Sequence, residues 1–348
     1  MSRIDLTRAP ATDPTFIYRQ RDGLYGVDLL TAAVARLDFF TWLAQNPADL
    51  KGICAGCGFQ ERPTDVMLTL FTAMGLVERR AEKFHVSPSA AEHLVGGSPF
   101  NLAPYYASLK ERPIAKDYES VLRTGKTANW SGLKDEKAWA QAMETEPFAS
   151  QFTAAMDCRG FYLGPAMAKA LDTKGFTKLL DIGGGSGIYS CAITANHPHL
   201  KATVLDKSPV DKLARKNVAE RGYSDRVEVV AGDMFVAANL PADCDLHLYS
   251  NVLHDWDFAE VRKLLANSFV ALKPGGMLIV HDAHINEDKS GPLPVAQYSA
   301  LLMHSTEGKC YSLGEMRELL TETGFTDMHY QPTAADRSII TVRKPGKP

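Results

Sequence analysis

His254 is the residue best suited to move a proton in this chain of 348 residues. It sits in the run Ser250, Asn251, Val252, Leu253, His254, Asp255, Trp256, between an apolar strand-like stretch and a helical pattern. A neutral imidazole, with an ordinary pKa of about 6.5, can take a hydroxyl proton while that oxygen attacks an electrophile, a contribution of roughly 10² to 10⁴ in rate. Asp282 closes the next strand-like run, at residues 276–282, where its carboxylate can accept from the second ring nitrogen and fix the tautomer. Asp255 is a weaker orienter, because sequence neighbours point apart, and is expected to cap the following helix. His281 and His284 invite a metal reading with His254. Residues 281 and 282 face opposite sides of a regular strand and no i, i+4 histidine pair supports it, so no metal is expected. His304 and Cys310, before the last helix, face the same pocket or fill packing roles.

A second cluster spans residues 178–206. An apolar run holding Asp181 leads into Gly183, Gly184, Gly185, Ser186 and Gly187, and helical composition follows at residues 188–195. That is a strand, a tight turn and a helix, with glycine where a side chain would keep the backbone from a ligand or where φ must be positive. A further strand, residues 202–205, delivers Asp206, whose carboxylate can accept from ribose hydroxyls. Beyond it, Asp233 is placed to accept from an adenine amino group, with Met234 and Phe235 in apolar contact with the ring; a plain turn acid is the alternative. A dinucleotide fingerprint, G-x-G-x-x-G, fails at its last position, Ile188. Asp181, two residues ahead of the first glycine, favours a cation over a pyrophosphate. S-adenosyl-L-methionine (SAM) has no phosphate and carries an ammonium and a sulfonium, so it is the expected cofactor. Arg159 is a candidate clamp for its carboxylate, with a surface salt bridge as the rival explanation.

The elements that must position these groups alternate in the second half of the chain. Strands at 226–231, 245–252 and 276–282, a helix at 258–272, a helix at 313–323 and strands at 326–331 and 338–343 predict a doubly wound, Rossmann-like α/β domain over residues 176–348. Ligands of such sheets bind at the carboxyl ends of strands, where Asp181, Asp206, Asp233 and His254 are all expected. Residues 96–175 read as a helical connector with breaks at 96–99, Pro113, Gly125 and Gly132. Phe152, Met156, Phe161 and Tyr162 are its candidates to line a substrate pocket, with helix core as the alternative.

Residues 1–95 read as a mainly helical, winged-helix-like module. The first 22 or so residues show little pattern; Leu24, Val27, Leu30, Val34 and Leu37 then recur at helical spacing, two short helices follow at 49–56 and 63–74, and residues 76–86 alternate like a hairpin. The segment from Glu61 carries one basic residue, Arg62, and is otherwise covered by Val66, Met67, Leu68, Leu70, Phe71 and Met74. A groove-reading helix needs a basic polar face, so this one is expected in a core or a subunit interface. A net charge of -3 gives no reason to expect nucleic acid. The apolar content of 45% lacks any run long enough for a membrane span, and residues 1–21 lack a signal-peptide core, which together predict a cytoplasmic protein. Cys54 and Cys57 form a C-x-x-C with no second pair and are expected as free thiols.

Leu-Leu-Asp-Ile-Gly-Gly-Gly-Ser-Gly, Gly-Asp-Met-Phe, Leu-His-Asp-Trp and Lys-Pro-Gly-Gly, in this order after a winged-helix-like module, resemble the metal-independent SAM-dependent O-methyltransferases. The resemblance covers about residues 20–345. It implies a methyltransferase sheet, His254 as base, Asp206 on ribose, Asp233 on adenine, a small aromatic substrate and a homodimer joined through the N-terminal helices. Plant members usually frame the base with two glutamates, where this chain holds Asp282 and Cys310. Ser250 stands where plant relatives often carry a cofactor-contacting lysine. The expected reaction is methyl transfer to a hydroxyl, with a phenol as the expected acceptor; transfer to carbon or nitrogen, and a SAM-responsive DNA-binding regulator, are the competing readings. Substrate contacts are expected from Phe152, Met156, Tyr162, Trp256 and Met303.

Overall fold

Exposed and buried faces at the N-terminus decide which of its helices the sequence reveals. The computed structural model of the protein describes residues 3–128 and 145–346; the expected break at Gly132 lies outside them. Helix α1 (Thr15–Ala35) starts well before the pattern does, with the Asp13 carboxylate accepting the Thr15 N–H at 2.9 Å. Its first turn leaves Phe16 71% and Ile17 70% exposed, so no polar–apolar contrast marks it. Leu24 and Val27, expected on the apolar face, are likewise exposed, whereas Asp28 is fully buried and paired with Arg112.

Helices α2 (Phe39–Gln45), α3 (Leu50–Cys57) and α4 (Glu61–Ala73) follow, then the hairpin of β1 (Val77–Arg80) and β2 (Lys83–Val86). The Asp49 side chain caps α3 by accepting from Gly52 N–H at 2.8 Å. Val66, Met67, Leu68, Leu70 and Phe71 of α4 are all buried, packed in part on a later helix, Leu293–Ser305. Helices α5 (Pro88–His93), α6 (Ala103–Tyr106) and α7 (Pro113–Thr124) complete the N-terminal part; from α7 the Tyr118 hydroxyl donates to Ala300 O at 2.8 Å.

The sheet is entered through α8 (Glu146–Ala170). Then come β3 (Lys178–Ile182), α9 (Ile188–Asn196), β4 (Lys201–Asp206), α10 (Val210–Glu220), β5 (Val227–Ala231), β6 (Leu246–Ser250), α11 (Phe258–Ala271) and β7 (Met277–Asp282). After α12 (Leu293–Ser305) and α13 (Leu313–Thr323), β8 (Thr326–Pro332) and β9 (Ser338–Arg343) close the edge. Strand order is β5-β4-β3-β6-β7-β9-β8, with β3 to β7 mutually parallel and β9 antiparallel to both neighbours. This is a doubly wound α/β sheet, as expected. Helix α12 is missing from the sequence reading because it is buried almost all round and so has no amphipathic stripe.

Two compact units result: Met1–Thr15 with Lys137–Ala283 and Glu315–Pro348, and Phe16–Glu136 with His284–Gly314. They cut across the linear division drawn from sequence. The first residues belong to the unit that holds the sheet, where Ile4 N–H donates to Arg221 O at 3.0 Å and the Tyr223 hydroxyl to Ile4 O at 2.8 Å. The segment carrying α12 joins the N-terminal helices. No helix among the described residues is long and apolar enough to cross a membrane.

Candidate active site

The turn after β3 is held open by glycine. Gly183, Gly185 and Gly187 adopt φ of +68°, +55° and +73°, a region costly for other L-residues. A Cβ on Gly184 would lie 2.7 Å from the Asp181 carboxyl carbon, whereas one on Gly185 would meet nothing within 4 Å. The loop thus packs down on Asp181 and leaves its next residue facing open space. Asp181 itself is fully buried; one oxygen accepts from the Ser190 hydroxyl at 2.8 Å and the other has no hydrogen-bond partner. Burial pushes its pKa up to about 7 despite the Ser190 bond, and Asp206 adds to the rise. The carboxylate expected to attract a cation therefore sits beneath the loop.

Asp206 at the end of β4 accepts Gly185 N–H on Oδ2 at 2.9 Å and Lys207 N–H on Oδ1 at 2.8 Å. Burial raises its pKa to about 6 against those two donors. A carboxylate has roughly four lone-pair sites, so acceptor capacity remains for a pair of ribose hydroxyls. Asp233 accepts Phe235 N–H at 2.9 Å on one oxygen, and its other oxygen is 3.0 Å from Lys207 Nζ. Lys207 is a participant that the sequence reading missed. The Asn267 amide donates to Met234 O at 3.0 Å, and the Phe235 ring meets Trp256 edge-on at 4.7 Å. Trp256 thereby joins the Asp233 loop to the His254 loop.

His254 lies in a 3₁₀ turn, Leu253–Asp255, directly beyond β6, and is 5% exposed. Its Nδ1 is 2.6 Å from Asp282 Oδ1, an oxygen that also accepts Ala283 N–H at 2.8 Å. An ionised carboxylate only accepts, so Nδ1 carries the hydrogen and Nε2 presents the lone pair. Asp255 Oδ1 stands 3.6 Å from Nε2, outside hydrogen-bond range but close enough to favour a positive ring. Burial pushes the Asp255 acid up to about 6, partly offset by the His254 charge. The cap expected from Asp255 is instead supplied by Asp257, which accepts Phe258 N–H at 2.8 Å.

Asn251, at φ +54°, links this turn to its surroundings: its amide donates to the Tyr189 hydroxyl at 3.1 Å and its carbonyl oxygen lies 3.4 Å from Arg159 Nη2. Ser250 Oγ is 2.8 Å from His281 Nδ1, so both side chains serve the strand end. Arg159 also approaches Met156 Sδ at 3.3 Å, and with Phe152 these residues share one face of α8. The Tyr162 hydroxyl donates to Asp13 at 2.9 Å, away from that face. Met303 is fully buried in α12, and Cys310, also buried, gives its N–H to Ser299 Oγ at 3.1 Å. His304 contacts Asp117 at 3.1 Å between the rings of Tyr25 and Tyr118. Among the described residues no group of three or more His, Cys, Asp or Glu is arranged to hold a metal ion.

A family model for the O-methyltransferase domain matches residues 118–326. The chain belongs to the O-methyltransferase family. It is 30% identical over 320 residues to 3-hydroxy-5-methyl-1-naphthoate 3-O-methyltransferase of Streptomyces sahachiroi, covering 90% of each chain. The L-tyrosine C(3)-methyltransferase of Streptomyces lavendulae is 26% identical over 307 residues, 86% of this chain and 83% of that one. The crystal structure of an O-methyltransferase family 2 protein from Planctomyces limnophilus, complexed with apigenin, superposes with a TM-score of 0.89 at 31% identity, covering 99% of this chain and 100% of that one. The protein is a SAM-dependent methyltransferase of this family. Its open glycine loop and the spare acceptor sites of Asp206 fit that cofactor.

Proposed function

We propose that the enzyme methylates a phenolic hydroxyl of a small aromatic molecule, with His254 Nε2 as general base. SAM, when bound, supplies a methyl group made electrophilic by the sulfonium. The contact that carries the reading is His254 Nδ1 to Asp282 at 2.6 Å, at the sheet edge that also presents Asp206. Asp282 holds the ring in the tautomer that accepts a proton at Nε2, and it stabilises the imidazolium formed as the acceptor oxygen attacks. Asp206 accepts from the ribose and Asp233 from the adenine amino group, beside Met234 and Phe235. Gly183 and Gly185 would let the cofactor approach the backbone, Gly184 packs the turn on Asp181, and Arg159, with Ser250, would hold the methionine carboxylate. Phe152, Met156 and Trp256 offer apolar surface to an aromatic acceptor.

The relatives support an aromatic acceptor: one is named for a hydroxynaphthoate, and the structure of another holds apigenin. The tyrosine C(3)-methylating relative supports a second reading, transfer to ring carbon. Incubation with SAM and a panel of phenols, followed by mass and proton spectra of the products, separates the two, because O-methylation consumes the hydroxyl and C-methylation retains it. For the O-methylation reading, His254→Ala should lower kcat by roughly 10² to 10⁴ while S-adenosylhomocysteine still binds; unchanged turnover would remove the base. We also read the helical unit as a dimerisation module, on the strength of Phe16, Ile17, Leu24 and Val27 exposed along α1. Light scattering that returns a monomer mass would remove that reading.

A further inference from the structure

The glycine turn carries a single side chain, Ser186, and that residue is gripped from two sides. It is buried, at 4% exposed. Its hydroxyl donates to Asp157 Oδ1 and accepts Ile188 N–H at 3.3 Å where α9 begins. Its carbonyl accepts from Arg221 Nη1 at 2.9 Å, and Nη2 of the same guanidinium donates to the same Asp157 oxygen. Asp157 projects from α8, and Arg221 is the C-cap residue directly after α10. The guanidinium lies 5.6 Å from the Phe161 ring centre, with its side chain 6% exposed. Two helices remote in sequence thus meet on one residue of the turn.

A turn made of glycine pays heavily in conformational entropy when it is fixed. Glycine also offers no side chain by which its path can be set. Here Gly185 must aim its N–H at Asp206 Oδ2, 2.9 Å away, and it immediately precedes Ser186. We propose that Asp157 and Arg221 are positioning residues for the cofactor: through Ser186 they fix the path of the turn, and with it the alignment of Gly185 on Asp206. Close packing holds the lever in place, since a Cβ on Gly160 of α8 would lie 2.2 Å from Ile188 Cγ2. The role rests on reading this turn and Asp206 as the cofactor site. Neither residue contacts the His254–Asp282 pair in the hydrogen bonds described above, so the effect belongs to cofactor affinity rather than to proton transfer.

The test compares Asp157→Asn, Arg221→Met and the double variant by calorimetric titration with S-adenosylhomocysteine and by steady-state kinetics with SAM and a phenolic acceptor. Each single change should weaken binding and raise the KM for SAM about tenfold, as loss of a charge-assisted contact predicts. The acceptor KM should hold, and the double variant should be little worse than either single one, because the three groups act as a unit. Lys178→Met is the control: it breaks the pairs of Lys178 with Asp243 (2.8 Å) and Glu228 (3.0 Å) at the far end of β3 and should lower Tm with no change in the KM for SAM. If Asp157→Asn lowers Tm but leaves cofactor binding at the wild-type value, the pair is merely structural and the proposal fails. Should Asp157→Asn not fold, Ser186→Ala decides, since it removes only the hydroxyl and must raise the KM for SAM without moving the acceptor KM. Wild-type protein that is folded yet does not bind S-adenosylhomocysteine would overturn the cofactor reading itself, and the proposal with it.

Discussion

Lowering the pH from 8 to 5 should loosen the cofactor through one carboxylate. Asp206 must be ionised to accept from two ribose hydroxyls, and burial has raised its pKa to about 6. At pH 8 nearly every molecule carries the charge; at pH 5 only about one-tenth do. Binding that requires the ionised form therefore weakens about tenfold between those limits, worth about 1.4 kcal/mol, with most of the loss below pH 6. The sign follows from the direction of the shift: an acid held above its ordinary value loses its acceptor as pH falls through about 6, and binding then releases a proton. Calorimetric titration of S-adenosylhomocysteine at each pH, in two buffers of different ionisation enthalpy, gives affinity and proton release together. Because the product is used, the His254–Asp255–Asp282 group does no chemistry in the experiment. Asp206→Asn should bind weakly and show no slope. A wild-type affinity that is flat from pH 8 to 5 would refute the reasoning; the same slope in Asp206→Asn would assign the titration to another acid, such as Asp181, which burial raises to about 7.

Asp282→Asn should lower kcat by at least about tenfold with little change in the KM for SAM, because an amide no longer fixes the His254 tautomer; steady-state kinetics with a phenolic acceptor reads it, and an unaltered kcat would separate Asp282 from the base. Asp181, held at about 7 against 3.8 when unfolded, binds its proton more tightly in the folded state, so stability drains away as pH rises from about 4 to 7. The full shift is on the order of 4 kcal/mol, roughly a third of it already lost at pH 5, so Asp181→Asn, which mimics the neutral acid, should melt above wild type by a margin that grows from pH 5 to pH 8; parallel Tm curves would contradict this. Gly160→Ala drives a methyl into Ile188 and should cost about 1–3 kcal/mol in denaturant unfolding, whereas an unchanged midpoint would mean that α8 and α9 pack less closely than their contact implies.

The sequence alone determined what local chemistry determines. A glycine run between an apolar strand and a helix forced the turn at Gly183 to Gly187, since few other residues tolerate its positive φ. Strand composition and the alternation with helices placed Asp206, His254 and Asp282 at one sheet edge, because chain direction in a parallel sheet brings all carboxyl ends to the same side. The pairing of His254 with Asp282 could be anticipated for that reason, β6 and β7 being neighbours in the sheet. Burial was not legible in the same way. Asp181 reads as an acid that favours a bound cation, yet Gly184 packs on it and Ser190 holds it. Helix α12, buried almost all round, carried no period, and the start of α1, with Phe16 and Ile17 exposed, carried none either. Only the tertiary structure decided that Asp157 and Arg221, 29 and 35 residues from Ser186, converge on it. Such contacts depend on how helices pack over a sheet, and a linear spacing does not encode that packing because it is set by side-chain volumes on several elements at once.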